Sequence, residues 1–373
     1  MDLHFQDGVS PTANEWWDWR WQLAHAARSV EEVASYLGVG ESSLGEFAKA
    51  QAVYPLFVTP YYLSLVEEPI LEDPIFRQCF PDDREVTRQA GGDPDALSEE
   101  PCSPVPRLVH RYPDRALLVT GNCCAMHCRH CMRKRDWSKP LAPLTQEELG
   151  RVVDYLTAHP EVREVLVSGG DPLMLPEANL RLVVQALSSV NSVEILRFGS
   201  RVPCTLPQKV SPRLASILAS GKTAWLACHF NHPRELTKEV SAATDILNRA
   251  GVCMVNQSVL LKGVNDNAEV LGKLFTSLLK YHIKPYYLFH GDPIEGAMHF
   301  RTGVKEGLAI MDQLRGRISG MALPAFAFDL PGGKGKIRLQ PESALGCDPE
   351  GNALYRSWQG EVVAYPDQDG VES

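Results

Sequence analysis

Seven short β-type runs alternate with helical stretches from about residue 115 to residue 329, and this alternation restricts the fold more than any other feature. The runs fall at 116–120, 164–168, 192–198, 224–229, 252–258, 284–289 and 325–329. Helical stretches at 146–158, 180–188, 212–219, 240–250 and 269–281 lie between most of them. Crossovers of that length join parallel strands, so the sheet must be parallel and covered by helices. Polar residues gather just after the runs: Gly169-Gly170-Asp171, Gly199-Ser200-Arg201, Asn231-His232, Asn256-Gln257, Gly291-Asp292 and Asp329. In a β/α barrel the carboxyl ends of the strands build the active site. The predicted fold is α/β, a partial (open) β/α barrel with its site at that face.

The flanks read differently. Residues 14–70 carry helical patterns, with Trp16, Trp17, Trp19 and Trp21 at a density that points to packing. Ser29-Val30-Glu31-Glu32 has the form of a capping box. Residues 71–107 are rich in Pro, Asp and Glu and read as an ordered arm. Three parts are expected: an N-terminal helical region and arm at 1–107, the barrel at 108–340, and a C-terminal extension at 341–373. The net charge of −9 argues against a general nucleic-acid binder, and no apolar run is long enough for a membrane span. Arg129, Arg133, Lys134 and Arg135 run against that balance, as a solvated basic face or as an anion-binding patch. Residues 1–30 are polar with no apolar leader, and the ten cysteines are scattered, so a reducing, cytoplasmic setting is expected.

Cys124, Cys128 and Cys131 lie four and then three residues apart on one segment. A structural zinc takes four protein ligands, and each iron of a cubane cluster is usually held by one cysteine. Three cysteines leave one iron open to a small molecule, so the segment suits a reactive cluster rather than a brace. The spacing resembles that of radical S-adenosylmethionine (SAM) enzymes; Cys123 fits it less well. A zinc site completed by His127 or His130 is the alternative on this segment alone. The second motif is Asp329-Leu-Pro-Gly-Gly-Lys-Gly-Lys336. It is not a P-loop, because Ile337 stands where Ser or Thr is needed. A lysine there could form a Schiff base with pyridoxal 5′-phosphate (PLP). Taken alone, the loop reads more simply as a surface turn with two solvated lysines.

Together these segments resemble lysine 2,3-aminomutase and its relatives. The likeness runs in order through His110-Arg-Tyr-Pro-Asp-Arg115, Cys124-Ala-Met-His-Cys-Arg-His-Cys131, Ser168-Gly-Gly-Asp-Pro-Leu173, Gly199-Ser-Arg-Val-Pro203 and His229-Phe-Asn-His-Pro233. It continues through Asn256-Gln-Ser-Val-Leu-Leu-Lys-Gly-Val-Asn-Asp266, Lys284-Pro-Tyr-Tyr287, His299-Phe-Arg-Thr302, Leu314-Arg-Gly316 and the loop ending at Lys336. The resemblance implies a radical SAM barrel in which Cys124, Cys128 and Cys131 hold a [4Fe–4S] cluster. It places Gly169, Gly170, Asp171 and His229 around SAM. It makes Lys336 the PLP lysine, at the matching sixth loop position, with Lys334 where a glycine is common. Arg111, Tyr112, Arg115, Ser200, Arg201, Asn256 and Gln257 are implied around PLP and its phosphate.

The implied activity is that of an isomerase, a 2,3-aminomutase moving an α-amino group to the β-carbon. Arg133 matches the substrate-carboxylate arginine, and Asp292 with Asp329 match the pair that grips a distal ammonium. Two carboxylates favour a cation and repel a glutamate side chain. The expected reaction is L-lysine to L-β-lysine, ahead of arginine, glutamate, or β-lysine formation for translation-factor modification. An iron–sulfur RNA-modifying enzyme is the rival of another class, but it leaves the Lys336 loop unexplained. Expected partners are the amino acid, an external one-electron reductant of flavodoxin or ferredoxin type, and further copies of the chain in a homo-oligomer. No zinc is expected: residues 351–373 contain no cysteine, and Asn267 stands where some relatives place a zinc ligand.

Overall fold

Among the described residues, nine strands form one sheet in chain order. They are β1 (Leu108–Tyr112), β2 (Arg115–Val119), β3 (Glu164–Ser168), β4 (Ile195–Ser200), β5 (Thr223–Cys228), β6 (Cys253–Leu260), β7 (Ile283–His290), β8 (Ala325–Leu330) and β9 (Gly335–Leu339). The computed structural model describes residues 3–5, 10–87, 90–137, 141–142, 144–349 and 352–365. Strands β2 to β8 run parallel. Strands β1 and β9 pair antiparallel at the two edges. Helices Gln146–Ala158, Glu177–Ser189, Pro212–Leu218, Lys238–Arg249, Ala268–Lys280 and Val304–Leu314 make the crossovers. This is the predicted partial β/α barrel.

Alternation along the strands sets the packing. Ala116, Leu118, Val165, Val167, Leu196 and Phe198 are buried, and the residues between them are half-buried. The buried set joins Leu149, Val152 and Leu156 of one helix and Leu180, Val183 and Leu187 of the next in one core. Each such side chain contributes roughly 1.5–3 kcal/mol when fully buried. Helices start where a side chain can accept a free backbone N–H: Thr145, Ser211, Thr237 and Asn267 all do so. Asn267, the position compared with a zinc ligand, is therefore a helix cap.

The sequence pattern did not reveal β1, β9 or the helix Val304–Leu314. Charged residues interrupt both edge strands (His110 and Arg111; Lys336 and Arg338), which hides their β-character. Yet these edges matter most, because the sheet curls until they meet. The Lys336 backbone N–H donates to the Tyr112 hydroxyl at 2.8 Å, bridging β9 to β1. Beyond β9, a three-stranded sheet, β10 (Ala344–Cys347), β11 (Ala353–Arg356) and β12 (Val362–Tyr365), forms the C-terminal part. No helix among the described residues is long and apolar enough to cross a membrane.

Short helices fill the N-terminal region, and the Ser29 capping box forms as expected. They pack beside the carboxyl ends of β4 and β5. Thr59 Oγ1 donates to Thr205 O at 2.9 Å, Tyr62 Oη to Glu235 at 2.7 Å, and Trp16 Nε1 to Glu239 at 3.2 Å. Trp17 is the exception to packing and is exposed. The tightest link is ionic. Glu85, Arg129 and Lys134 are all wholly buried. Arg129 donates to both Glu85 oxygens, at 2.8 and 2.6 Å. Lys134 Nζ donates to Glu85 at 2.6 Å, to Arg129 O at 2.9 Å and to Gly296 O at 2.7 Å. Burial pulls the Lys134 ammonium down to about 7 while Glu85 works against it. Burial pushes Glu85 up, but Lys134 and Arg129 outweigh it and hold the carboxyl below its ordinary range.

Replacing Glu85 by Gln leaves two buried cations without a counter-charge. The expected loss is about 3–5 kcal/mol of stability, read as a lower midpoint in denaturant unfolding of the cofactor-free protein. An unchanged midpoint would show that the three groups are not coupled.

Candidate active site

The cysteine segment leaves β2 and has no helix or strand until a 3₁₀ turn at Lys134–Asp136. Cys124, Cys128 and Cys131 are half-buried free thiols. Burial, then Asp171 and the other segment thiols, push Cys124 well up; burial and Cys128 push Cys131 up to about 11. Thiols that raise one another share a site, and a bound cation reverses the shift. Arg201 Nη1 donates to Cys128 Sγ at 2.9 Å, and the Arg133 backbone N–H to Cys131 Sγ at 3.4 Å. Such donors suit thiolates, so the set fits an iron–sulfur cluster. Among the described residues, no three His, Cys, Asp or Glu are placed to hold one ion. Thiolates on separate irons stand farther apart than ligands of one ion. Of the two candidate zinc histidines, His127 Nδ1 lies 3.1 Å from Pro55 O and His130 Nε2 lies 3.4 Å from Asn231 Nδ2, while His130 Nδ1 is buried without a partner.

Gly169 and Gly170 let the end of β3 press against the start of this segment. A Cβ on Gly169, at φ 120°, would lie 2.5 Å from Gly121 O, and one on Gly170 2.6 Å from Cys123 O. Asp171 is anchored directly after these glycines. Its buried carboxylate accepts from Ser200 Oγ at 2.7 Å and from the backbone N–H groups of Leu173, Arg201 and Val202 at 3.0, 2.7 and 3.0 Å. Those acceptors tie Asp171 to the turn after β4. Ser200 is engaged in the same turn. Arg201, expected around PLP, lies on the cysteine side, held by Gln78 at 2.6 Å and Glu235 at 2.8 Å as well as Cys128. Asn256 is also committed. Its amide accepts from Phe230 N at 2.8 Å and donates to Phe230 O at 3.1 Å and Ser258 Oγ at 2.8 Å. Gln257 is half-buried at a register shift in β6. His229 keeps a buried Nε2 with no partner, 5.3 Å ring to ring from His130. Burial draws its imidazole down to about 3, so it is neutral at ordinary pH.

At the seam of the barrel, antiparallel register sets Lys336 opposite Asp329. Lys336 Nζ donates to Asp329 Oδ2 at 2.7 Å and lies 4.1 Å from the Phe289 ring centre. Lys334 is exposed at the hairpin tip. Gly332 and Gly333, at φ 69° and 70°, make that turn possible. Asp292 follows β7 and adjoins the pair. Burial, then the Asp329 carboxylate, push it up to about 6, while Lys336, Arg301 and Arg111 pull the other way. Arg115 lies 3.8 Å over the Tyr112 ring and pairs with Asp114 at 2.6 Å. Arg111 Nη2 donates to Leu97 O, and its Nε is buried without a partner. A fixed, unmatched cationic donor in the same region as a half-buried primary amine fits a cofactor carrying a carbonyl and a phosphate.

The basic cluster is not a solvated face, because each of its members meets an acidic partner. Arg129 and Lys134 belong to Glu85, Arg133 makes a two-point contact with Glu99, and Arg135 pairs with Asp95 at 2.9 Å. Sequence reasoning missed Gln78, Glu85, Glu99 and Glu235. No local pattern marks which acid in the 71–107 arm will meet which base.

Residues 118–274 match the family model for the radical SAM superfamily, and residues 311–372 match the model described as Lysine-2,3-aminomutase. A relative in Aquifex aeolicus (strain VF5), provisionally named an L-lysine 2,3-aminomutase, is 45% identical over 356 residues, 94% of this chain and 95% of its own length. The L-lysine 2,3-aminomutase of Clostridium subterminale is 38% identical, over 94% of this chain and 84% of its own. The glutamate 2,3-aminomutase of Clostridioides difficile (strain 630) is 33% identical, over 98% and 86%. With the cysteine segment at the mouth of a β/α barrel and likeness of this extent, the chain belongs to the lysine 2,3-aminomutase family of radical SAM enzymes.

Proposed function

We propose that the chain is a PLP-dependent L-lysine 2,3-aminomutase, moving the α-amino group of L-lysine to its β-carbon to give L-β-lysine. Radical SAM membership implies a [4Fe–4S] cluster and SAM. One observation carries the finer reading: Lys336 Nζ sits on Asp329 with Asp292 adjoining. A primary amine suited to a carbonyl cofactor and two carboxylates suited to a cationic side chain thus share one place.

When bound, the cluster with SAM supplies a hydrogen-abstracting carbon radical, and PLP supplies a carbonyl carbon that carries nitrogen and spreads an unpaired electron. Cys124, Cys128 and Cys131 would hold three irons and leave the fourth open to SAM. Lys336 would hold PLP until an amino acid takes its place, with Arg111 Nε available to the phosphate and Tyr112 fixing the hairpin through the Lys336 N–H. Arg133 would bind the α-carboxylate. Its backbone lies against Cys131, so substrate position and cluster position are set by one short segment. Asp292 and Asp329 would take the ε-ammonium and exclude an acidic side chain. An external reductant of flavodoxin or ferredoxin type would deliver the electron.

The assignment is tested by giving the reduced, cofactor-loaded enzyme a mixture of amino acids. Lysine should yield a product of unchanged mass with β-amino fragmentation; turnover of glutamate alone would refute the role of the two aspartates. Lys336→Ala should lose the PLP absorbance band and activity together, whereas Lys334→Ala should retain both. The reverse pattern would move the PLP lysine to the hairpin tip. Asp292 attracts an ammonium only when ionised, so KM for lysine should rise as pH falls through about 6. In Asp292→Asn that inflection should vanish, with KM higher by about tenfold or more at all pH values. An unchanged inflection would remove Asp292 from substrate binding.

A further inference from the structure

The arm before β1 reaches into the site. Asp93 exchanges backbone hydrogen bonds with the chain after Asp292: its N–H donates to Pro293 O at 2.8 Å, and the Glu295 N–H donates to Asp93 O at 3.2 Å. Leu97 O accepts from Arg111. Cys102 Sγ would lie 3.8 Å from a Cβ on Gly333 in the Lys336 hairpin. Between these anchors stands Glu99, whose side chain is 9% exposed against 12% for Arg133. Its carboxylate takes both terminal nitrogens of Arg133, Nη1 at Oε2 and Nη2 at Oε1, the latter at 2.6 Å.

We propose that Glu99 is a positioning residue for substrate binding: it grips the Arg133 guanidinium end-on and so aims its remaining edge at the α-carboxylate. This deepens the function proposed above and rests on Arg133 binding that carboxylate. A guanidinium has five N–H donors in a fixed plane. The end-on pair with Glu99 uses two, leaving Nε–H and one further Nη–H as a second fork of the kind carboxylates accept. Among the described residues no other acceptor meets that guanidinium. Glu99 is a fixture rather than a placeholder, because the arm is pinned on both sides. The Asp95 carboxylate accepts the Glu99 and Glu100 N–H groups at 3.1 and 3.2 Å, and Ser103 Oγ donates to Glu99 O at 2.9 Å. Without Glu99, a long side chain two residues from the cluster segment would be free to rotate. The carboxylate of the amino acid would then have to order it on binding.

The test uses the PLP- and cluster-loaded enzyme without reductant, so that nothing turns over. L-lysine and 1,5-diaminopentane, the same chain without its carboxylate, are titrated while the absorbance of the bound cofactor is followed. Glu99→Gln should weaken lysine roughly tenfold and leave the diamine within about twofold. Glu99→Asp should recover part of the loss. In turnover assays Glu99→Gln should raise KM more than it lowers kcat. Arg133→Gln serves as the reference and should erase the preference for lysine over the diamine. If it does so while Glu99→Gln binds lysine like wild type, the positioning role fails and the Arg133 assignment stands. Tighter lysine binding in Glu99→Gln would mean that Glu99 competes for the fork, and equal weakening of both ligands would mean a merely structural arm; either overturns the proposal. If Arg133→Gln keeps the preference, the Arg133 assignment fails and the inference fails with it.

Discussion

Glu85 is the point from which the cysteine segment takes its shape. Residues 121–133 have no hydrogen-bond ladder of their own, so their course is dictated by what they touch. The His127 N–H donates to Phe57 O and the Arg129 N–H to Gln78 O, both at 2.9 Å and both in the N-terminal region. Glu85 adds the charged link, holding Arg129 and Lys134 on either side of Cys131. A buried ion cluster is weak evidence of stability, because desolvation offsets much of the attraction. What it supplies is placement: a segment with three thiols is held in one course by side chains fixed in a dry interior.

Curvature of the sheet is the second constraint. Sequential parallel strands with outer helices wrap toward closure, and the carboxyl ends of those strands collect polar loops at one mouth. The edge strands do not complete a ladder. They meet through Tyr112 and Lys336, one from the start of the barrel and one from its end. The cysteine segment, the β7 loop with Asp292 and the β8–β9 hairpin thereby come to share one mouth, and the arm with Glu99 lies across it. The site is assembled from stretches that are distant in sequence, and the near-closure is what brings them together.

Local pattern carried the repetitive part of this architecture well. The parallel strands, the crossover helices from 146–158 to 269–281 and the Ser29 cap all follow from hydrophobic period and capping chemistry, with boundaries shifted by a few residues. The same reasoning was blind to β1 and β9, where charged residues occupy positions that a buried strand would fill with apolar residues. Motif residues divided in a similar way. Asp171, Ser200 and Asn256 stand in motifs of the family, yet their polar atoms are bound to backbone and to each other. Arg201 faces the cysteines. A motif records which residues recur together, and it does not separate the ones that touch a ligand from the ones that hold the turn carrying them.

The sequence alone determined the α/β class, the three thiols at cluster spacing, and the lysine and aspartates that could meet a cationic amino acid. Spacing and residue chemistry are local quantities, and a thiol, an amine or a carboxylate keeps its reactivity wherever it is placed. Only the tertiary structure decided which charges meet. Lys336 rather than Lys334 lies on Asp329, because antiparallel register puts one inward and leaves the other at the tip. Arg129 and Lys134 share Glu85 while Arg133, between them in sequence, turns to Glu99. Coulomb energy depends on distance and burial, and both are set by how remote segments pack.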